Sequence, residues 1–173
     1  MSRNKRPRKA YRPRSTAGAF VIAAQLMARA DSSATEPAAK DKVDTLMLTF
    51  WSAIDSVARL QHPGREDWRQ ISDAINHVET LVLQGYLDHE ATSPLVEAAV
   101  AGMVKAADRW QAGQGMRMDA AGLNAVRDVI GLYEQAMREL PEIVIVAAQI
   151  QTQQRLAQIL ASKPVVDRKV VII

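Results

Sequence analysis

The sequence predicts an all-α protein, a single antiparallel helical bundle of about five helices with a disordered basic N-terminal arm. Three observations lead there. Five successive segments of about 20 residues space their apolar side chains three and four apart, the period of one helical face. The breaks between them are short and hold Gly and Pro, which suits neighbouring helices of one bundle, and no longer repeat supports a solenoid. The 173 residues are 48% apolar and 24% charged, ordinary globular usage with enough core for one compact domain, which rules out a chain disordered from end to end.

Residues 1–39 form the arm and linker. Residues 1–14 hold Arg3, Lys5, Arg6, Arg8, Lys9, Arg12 and Arg14 with no acid, a charge of +7, so the net +3 of the whole leaves −4 for the rest. Like charges repel, Pro7 and Pro13 remove donors, and Tyr11 is the one sizeable apolar group, so the arm is expected to be disordered alone. These seven cations together with Tyr11 are the candidate nucleic-acid-binding residues. Guanidinium grips phosphate with two hydrogen bonds, and an aromatic ring stacks on a base. Three other readings stay open: a merely solvated basic arm, an export signal, and a transit peptide or interfacial anchor. The export reading takes Ala17–Ala28 as an apolar core and Ala28-Arg29-Ala30 as a cleavage site. Residues 31–39, DSSATEPAA, read as a linker.

The helical body is expected over residues 40–163. Its first helix, Asp41–Gln61, turns Val43, Leu46, Met47, Phe50, Trp51, Ile54, Val57 and Ala58 inward, and Asp55 and Arg59 form an i,i+4 pair. His62-Pro63-Gly64 ends it. The second, Glu66–Gln84, buries Trp68, Ile71, Ile75, Val78 and Val82 and stops at Gly85. Ser93-Pro94 predicts the start of the third, the hydroxyl capping free amides and proline occupying a position that lacks a partner anyway. Its face is Leu95, Ala99, Val100, Met103, Val104, Ala107 and Trp110, broken by Gly113 and Gly115. Asp119 caps the fourth, which runs through Leu123, Val126, Val129, Ile130, Tyr133, Met137 and Leu140 to Pro141.

The fifth, Glu142–Ser162, carries only Glu142 and Arg155 as charges and has apolar residues on two faces. Such a helix is either central in the bundle or shared between subunits, so Ile145, Ile150, Leu156 and Ile159 are the candidate partner or oligomer interface. The tail at residues 164–173 is short and β-branched; it either docks on the body or pairs as a strand with another chain.

Without cysteine, disulfides, thiolate metal sites and cysteine nucleophiles are excluded. Apolar runs fall short of the ~18 residues of a membrane span. Asp73 and His77 share a helical face at a ligand-like spacing, yet two groups make no metal site, and an ordinary surface pair is expected. Gly113-Gln114-Gly115 has glycines like a phosphate cradle but no preceding strand, so it reads as a helix terminator. Trp51, Trp68 and Trp110 read as core anchors rather than a ligand cage. The helices are too long for a compact helix-turn-helix. No cofactor and no enzymatic activity are expected.

Lys5–Arg14, KRPRKAYRPR, and the helical Arg117–Glu134, RMDAAGLNAVRDVIGLYE, resemble small uncharacterised proteins carried by prophages and mobile elements of proteobacteria. The resemblance implies an accessory product in bacterial cytoplasm that acts on nucleic acid or on a host protein, and it supplies no catalytic residue. The expectation is thus a non-enzymatic accessory protein that binds DNA or RNA nonspecifically through its arm and a host or phage protein, or itself, through its body. The rival is an anti-defence protein, blocking a host immune complex by acidic mimicry or sequestering a nucleotide signal.

Overall fold

A computed structural model describes residues 35–60 and 63–162, which form five α-helices and no strand: α1 (Lys40–Arg59), α2 (Arg65–Leu83), α3 (His89–Gln111), α4 (Ala120–Glu139) and α5 (Glu142–Ser162). The arm residues 1–14, the segment 17–30 and the tail 164–173 lie outside the described residues. No helix among the described residues is long and apolar enough to cross a membrane.

Local chemistry sets most of the helix ends. Asp67 reaches back to accept the Gly64 N–H at 2.9 Å, tying down the entry to α2. At its exit Gly85 takes φ 76°, and the N–H groups of Gly85 and Tyr86 turn back to the carbonyls of Val82 and Leu81, a Schellman closure that favours glycine. The same closure ends α3, with Gly113 and Gln114 donating to Trp110 and Arg109, so the Gly113–Gly115 stretch does terminate a helix.

The start of α3 differs from expectation. Asp88, rather than Ser93, is the cap: its carboxylate accepts the Ala91 N–H at 2.9 Å. The helix therefore begins at His89 and Pro94 lies inside it. The carbonyl that Pro94 leaves without an amide belongs to exposed Glu90, at the solvent side of the second turn.

The inward face of α3 is also rotated from the expected one. Thr92, Val96, Ala99, Gly102, Met103 and Ala106 are buried, whereas Val100, Val104 and Trp110 are exposed. Backbone proximity explains the rotation. A Cβ added to Gly102 would sit 2.6 Å from the Gly122 Cα of α4, so the two backbones cross almost in contact. Only glycine fits at this crossing, since even the Cβ of alanine would meet the facing backbone, and the larger residues of α3 turn aside.

The centre of the fold is α2. It packs against all four other helices and buries nine residues, among them Trp68, Ile71, Val78 and Leu81 at 1% exposure or less. α4 faces it with Val126, Val129, Ile130 and Tyr133, while α1 contributes Val43, Met47, Phe50, Ala53, Ile54 and Val57. By contrast α5, expected to be central or shared, buries only Ile145, Ala148 and Thr152 and rests mainly on α2. Ahead of α1 the chain is tied to the start of α5: the Glu142 N–H donates to the Glu36 carbonyl at 2.9 Å, Lys42 pairs with Glu142, and Ala38 packs on the core.

Candidate functional site

Polar groups concentrate where α5 meets α2 and α4. The Thr80 and Thr152 hydroxyls lie 2.7 Å apart, both buried, with the Asn76 and Ala148 carbonyls as further acceptors on their own helices. Arg155 reaches Glu79 at 2.5 Å, and Gln84 donates to Gln151 at 2.5 Å. Gln149 donates to the Tyr133 hydroxyl at 2.9 Å. α5 is thus attached to the body by a polar seam around a small apolar contact. Buried hydroxyls need such partners, because a lone one forfeits its hydrogen bonds to water.

Deeper lies the pair that the sequence placed on the surface. His77 is 5% exposed, its ring 5.4 Å from the Tyr133 ring, and its Nδ1 has no hydrogen-bond partner. Burial pushes its pKa down to about 4, so it is neutral at physiological pH. Burial also pushes the Asp73 carboxyl up to about 6, with Glu66 adding to the rise and Arg69 opposing it. Tyr133 is raised by burial, in part offset by the Gln149 hydrogen bond. The expected ordinary surface pair is therefore a core histidine beside a half-buried carboxyl. The period chosen for α2 followed its largest apolar residues and missed a second inward face, Ala74–His77–Leu81, visible as i,i+3 and i,i+7 spacing.

Among the described residues no three metal-ligating side chains converge. His89 is exposed at the first turn of α3, and His62 lies outside the described residues. Of the tryptophans, Trp68 alone is a core anchor. Trp51 is 37% exposed and donates its indole N–H to Glu134 at 3.1 Å, and Trp110 is 62% exposed near the end of α3. Nothing gathers the three into a cage.

The candidate nucleic-acid residues Arg3, Lys5, Arg6, Arg8, Lys9, Tyr11, Arg12 and Arg14 lie outside the described residues. The candidate interface residues of α5 are not on one face. Ile145 is 6% exposed and belongs to the chain's own core, so it is not a free surface. Ile159 and Leu156 continue that side half-buried, while Ile150 lies on the opposite side with exposed Ile143.

The surface electrostatics divide by region. Residues 35–162 hold 11 Lys/Arg and 17 Asp/Glu, a net charge of −6, against +7 in residues 1–14. Seven carboxylates are paired: Glu66 with Arg69, Glu79 with Arg155, Glu142 with Lys42, Asp55 with Arg59, Asp119 with Arg109, and both Asp44 and Glu134 with Arg138. No protein-family model, curated protein or solved structure matches this chain.

Proposed function

We propose that the chain is a non-enzymatic binding protein of the accessory type its sequence resembles, an antiparallel helical bundle that engages a protein partner while a basic arm holds nucleic acid by its phosphates. The division of charge carries this reading: +7 within fourteen residues, against −6 over the helical body. A cationic segment of that density attracts polyanions by counterion release, and the acidic body repels them, so phosphate contact is confined to the arm. The body offers a partner exposed apolar side chains on α3, with Trp110 at 62%, Val100 at 42% and Val104 at 37% exposure. The polar groups buried among the described helices, His77 beside Tyr133 and Thr80 beside Thr152, suit a structural role.

Filter binding at two salt concentrations tests the reading. Seven cations displace at most about seven counterions, so the log–log salt slope should be no steeper than roughly −6. Replacing Arg3, Arg6, Arg8, Arg12 and Arg14 with Gln should weaken binding uniformly across probe sequences, because phosphate contacts carry no base information. Salt-resistant, sequence-selective binding that survives those changes would overturn it. The body's negative charge also supports the anti-defence alternative, in which carboxylates occupy a phosphate-binding groove. Capture of one host protein that resists nuclease and is lost at high salt would favour that alternative.

A further inference from the structure

The outward side of α5 has the composition of a helix interface. Ile143, Val146, Ile150, Ala157 and Leu160 follow one another at three-, four- and seven-residue intervals on the side opposite Ile145, Ala148 and Thr152. The two charges of the helix are turned back to its own chain, Glu142 to Lys42 and Arg155 to Glu79. The stripe therefore carries no charge over a length of about 26 Å, at 1.5 Å per residue. None of the five is buried by the described helices, and Ile143 is 41% exposed.

The same chain supplies a matching segment, and its end is fixed beside the stripe. The Glu36 carbonyl accepts the Glu142 N–H, one residue from Ile143. Upstream of that anchor, beyond the seven residues 29–35, the sequence reaches Ala17–Ala28, AGAFVIAAQLMA, twelve residues with no charge. At helical spacing Phe20, Ala23, Ala24 and Met27 share one face, small residues between large ones, a pattern complementary to the stripe of Ile143, Val146 and Ile150. As a helix the segment is about 18 Å long and too short to be stable alone in water. Residues 29–35 can span up to about 23 Å, so the segment reaches the part of the stripe around Ile143, Val146 and Ile150.

We propose that Ala17–Ala28 docks as a sixth helix on the outward stripe of α5, antiparallel to it, with its C-terminal end near Ile143 and its centre near Ile150. The tether decides between this segment and a second copy of the chain. An attached segment is present at an effective concentration of about millimolar, far above that of a free second molecule. The proposal is independent of the nucleic-acid reading, since it uses none of residues 1–14.

Disulfide mapping in the full chain tests it, because the protein has no cysteine of its own. Ile150→Cys is combined in turn with Phe20→Cys, Val21→Cys and Ala24→Cys, and each pair is oxidised. The expected product is an intramolecular disulfide, running as a monomer and strongest for Phe20→Cys or Ala24→Cys. Pairing either with Leu48→Cys, which is 72% exposed on α1, should give none. Cross-links found only between chains would overturn the proposal in favour of a second copy, and absence of any cross-link would overturn it outright. A second measurement avoids the paired variants. Maleimide should label Ile150→Cys slowly in the otherwise unchanged chain and several-fold faster when Phe20→Asp is added; an unchanged rate would overturn the proposal.

Discussion

α2 and α5 are nearly the same length and differ in the opposite sense from what their polarity suggests. α2 carries six charged residues and a histidine in nineteen, yet it is the centre of the fold and buries nine of them. α5 carries two charges in twenty-one and buries three. The difference teaches that sidedness, rather than mean polarity, selects the central helix. In α2 the charges of Arg65, Glu66, Asp67, Arg69, Asp73 and Glu79 lie at the first turn or on flanks, leaving inward faces of Trp, Ile, Val and Leu for each neighbour. In α5 the apolar residues are distributed around the axis, so one contact with α2 satisfies only part of them.

The comparison breaks most readily at the apolar core. Ile71→Ala in α2, at 0% exposure, should cost about 2–5 kcal/mol in chemical unfolding, the range of cavity-forming deletions. Val144→Ala, at the start of α5 on the side that rests on its own chain, should cost only about 1 kcal/mol. Equal losses would mean that α5 is as deeply packed as α2.

A smaller effect is expected at the polar seam that joins them. Thr152→Val leaves the Thr80 hydroxyl buried without its 2.7 Å partner and should cost about 1–2 kcal/mol, whereas Thr80→Val together with Thr152→Val should restore much of it. If the double variant is less stable than either single one, the seam contributes more than its desolvation costs.

The smallest effect is in pH dependence, where two shifts on α2 oppose one another. Asp73 has its folded pKa raised to about 6, so its contribution is fully present below the unfolded carboxylate pKa and is lost as pH rises through 6. His77 has its folded pKa lowered to about 4, so its contribution is present above the unfolded imidazole pKa and is lost as pH falls towards 4. Between about pH 4.5 and 6 the two slopes cancel in the parent chain. Asp73→Asn should unmask the histidine, and stability should then fall by about 1 kcal/mol per pH unit on acidification across that window. Thermal melts at pH 6 and pH 5 check it; a parallel pH dependence in parent and variant would place Asp73 in full contact with water.

Much of this architecture was legible in the chain. The ends of α1, α2, α4 and α5 fall within one or two residues of the positions read from caps, glycines and prolines. The exception was α3, where Asp88 outcompeted Ser93 as a cap one turn earlier, and a proline inside the second turn was tolerated. The buried face of α3 was misread because its contact with α4 is built on Gly102 and Gly122, and glycine carries no hydropathy signal. His77 was misread for a related reason: it is buried by Tyr133, which approaches from another helix 56 residues later in the chain.

The sequence by itself determined that this region is helical, where four of the five helices begin and end, and that a strong net positive charge is concentrated in the first fourteen residues. Those properties depend on neighbours within a few positions, through capping hydrogen bonds, helical period and local charge density. Only the tertiary structure decided that α2 is the centre, that α3 and α4 cross at two glycines, that His77 is neutral and enclosed, and that α5 rests on a polar seam with an apolar side turned outward. Each of these is a contact between residues far apart in sequence, and burial belongs to the pair of surfaces that meet, not to either surface alone.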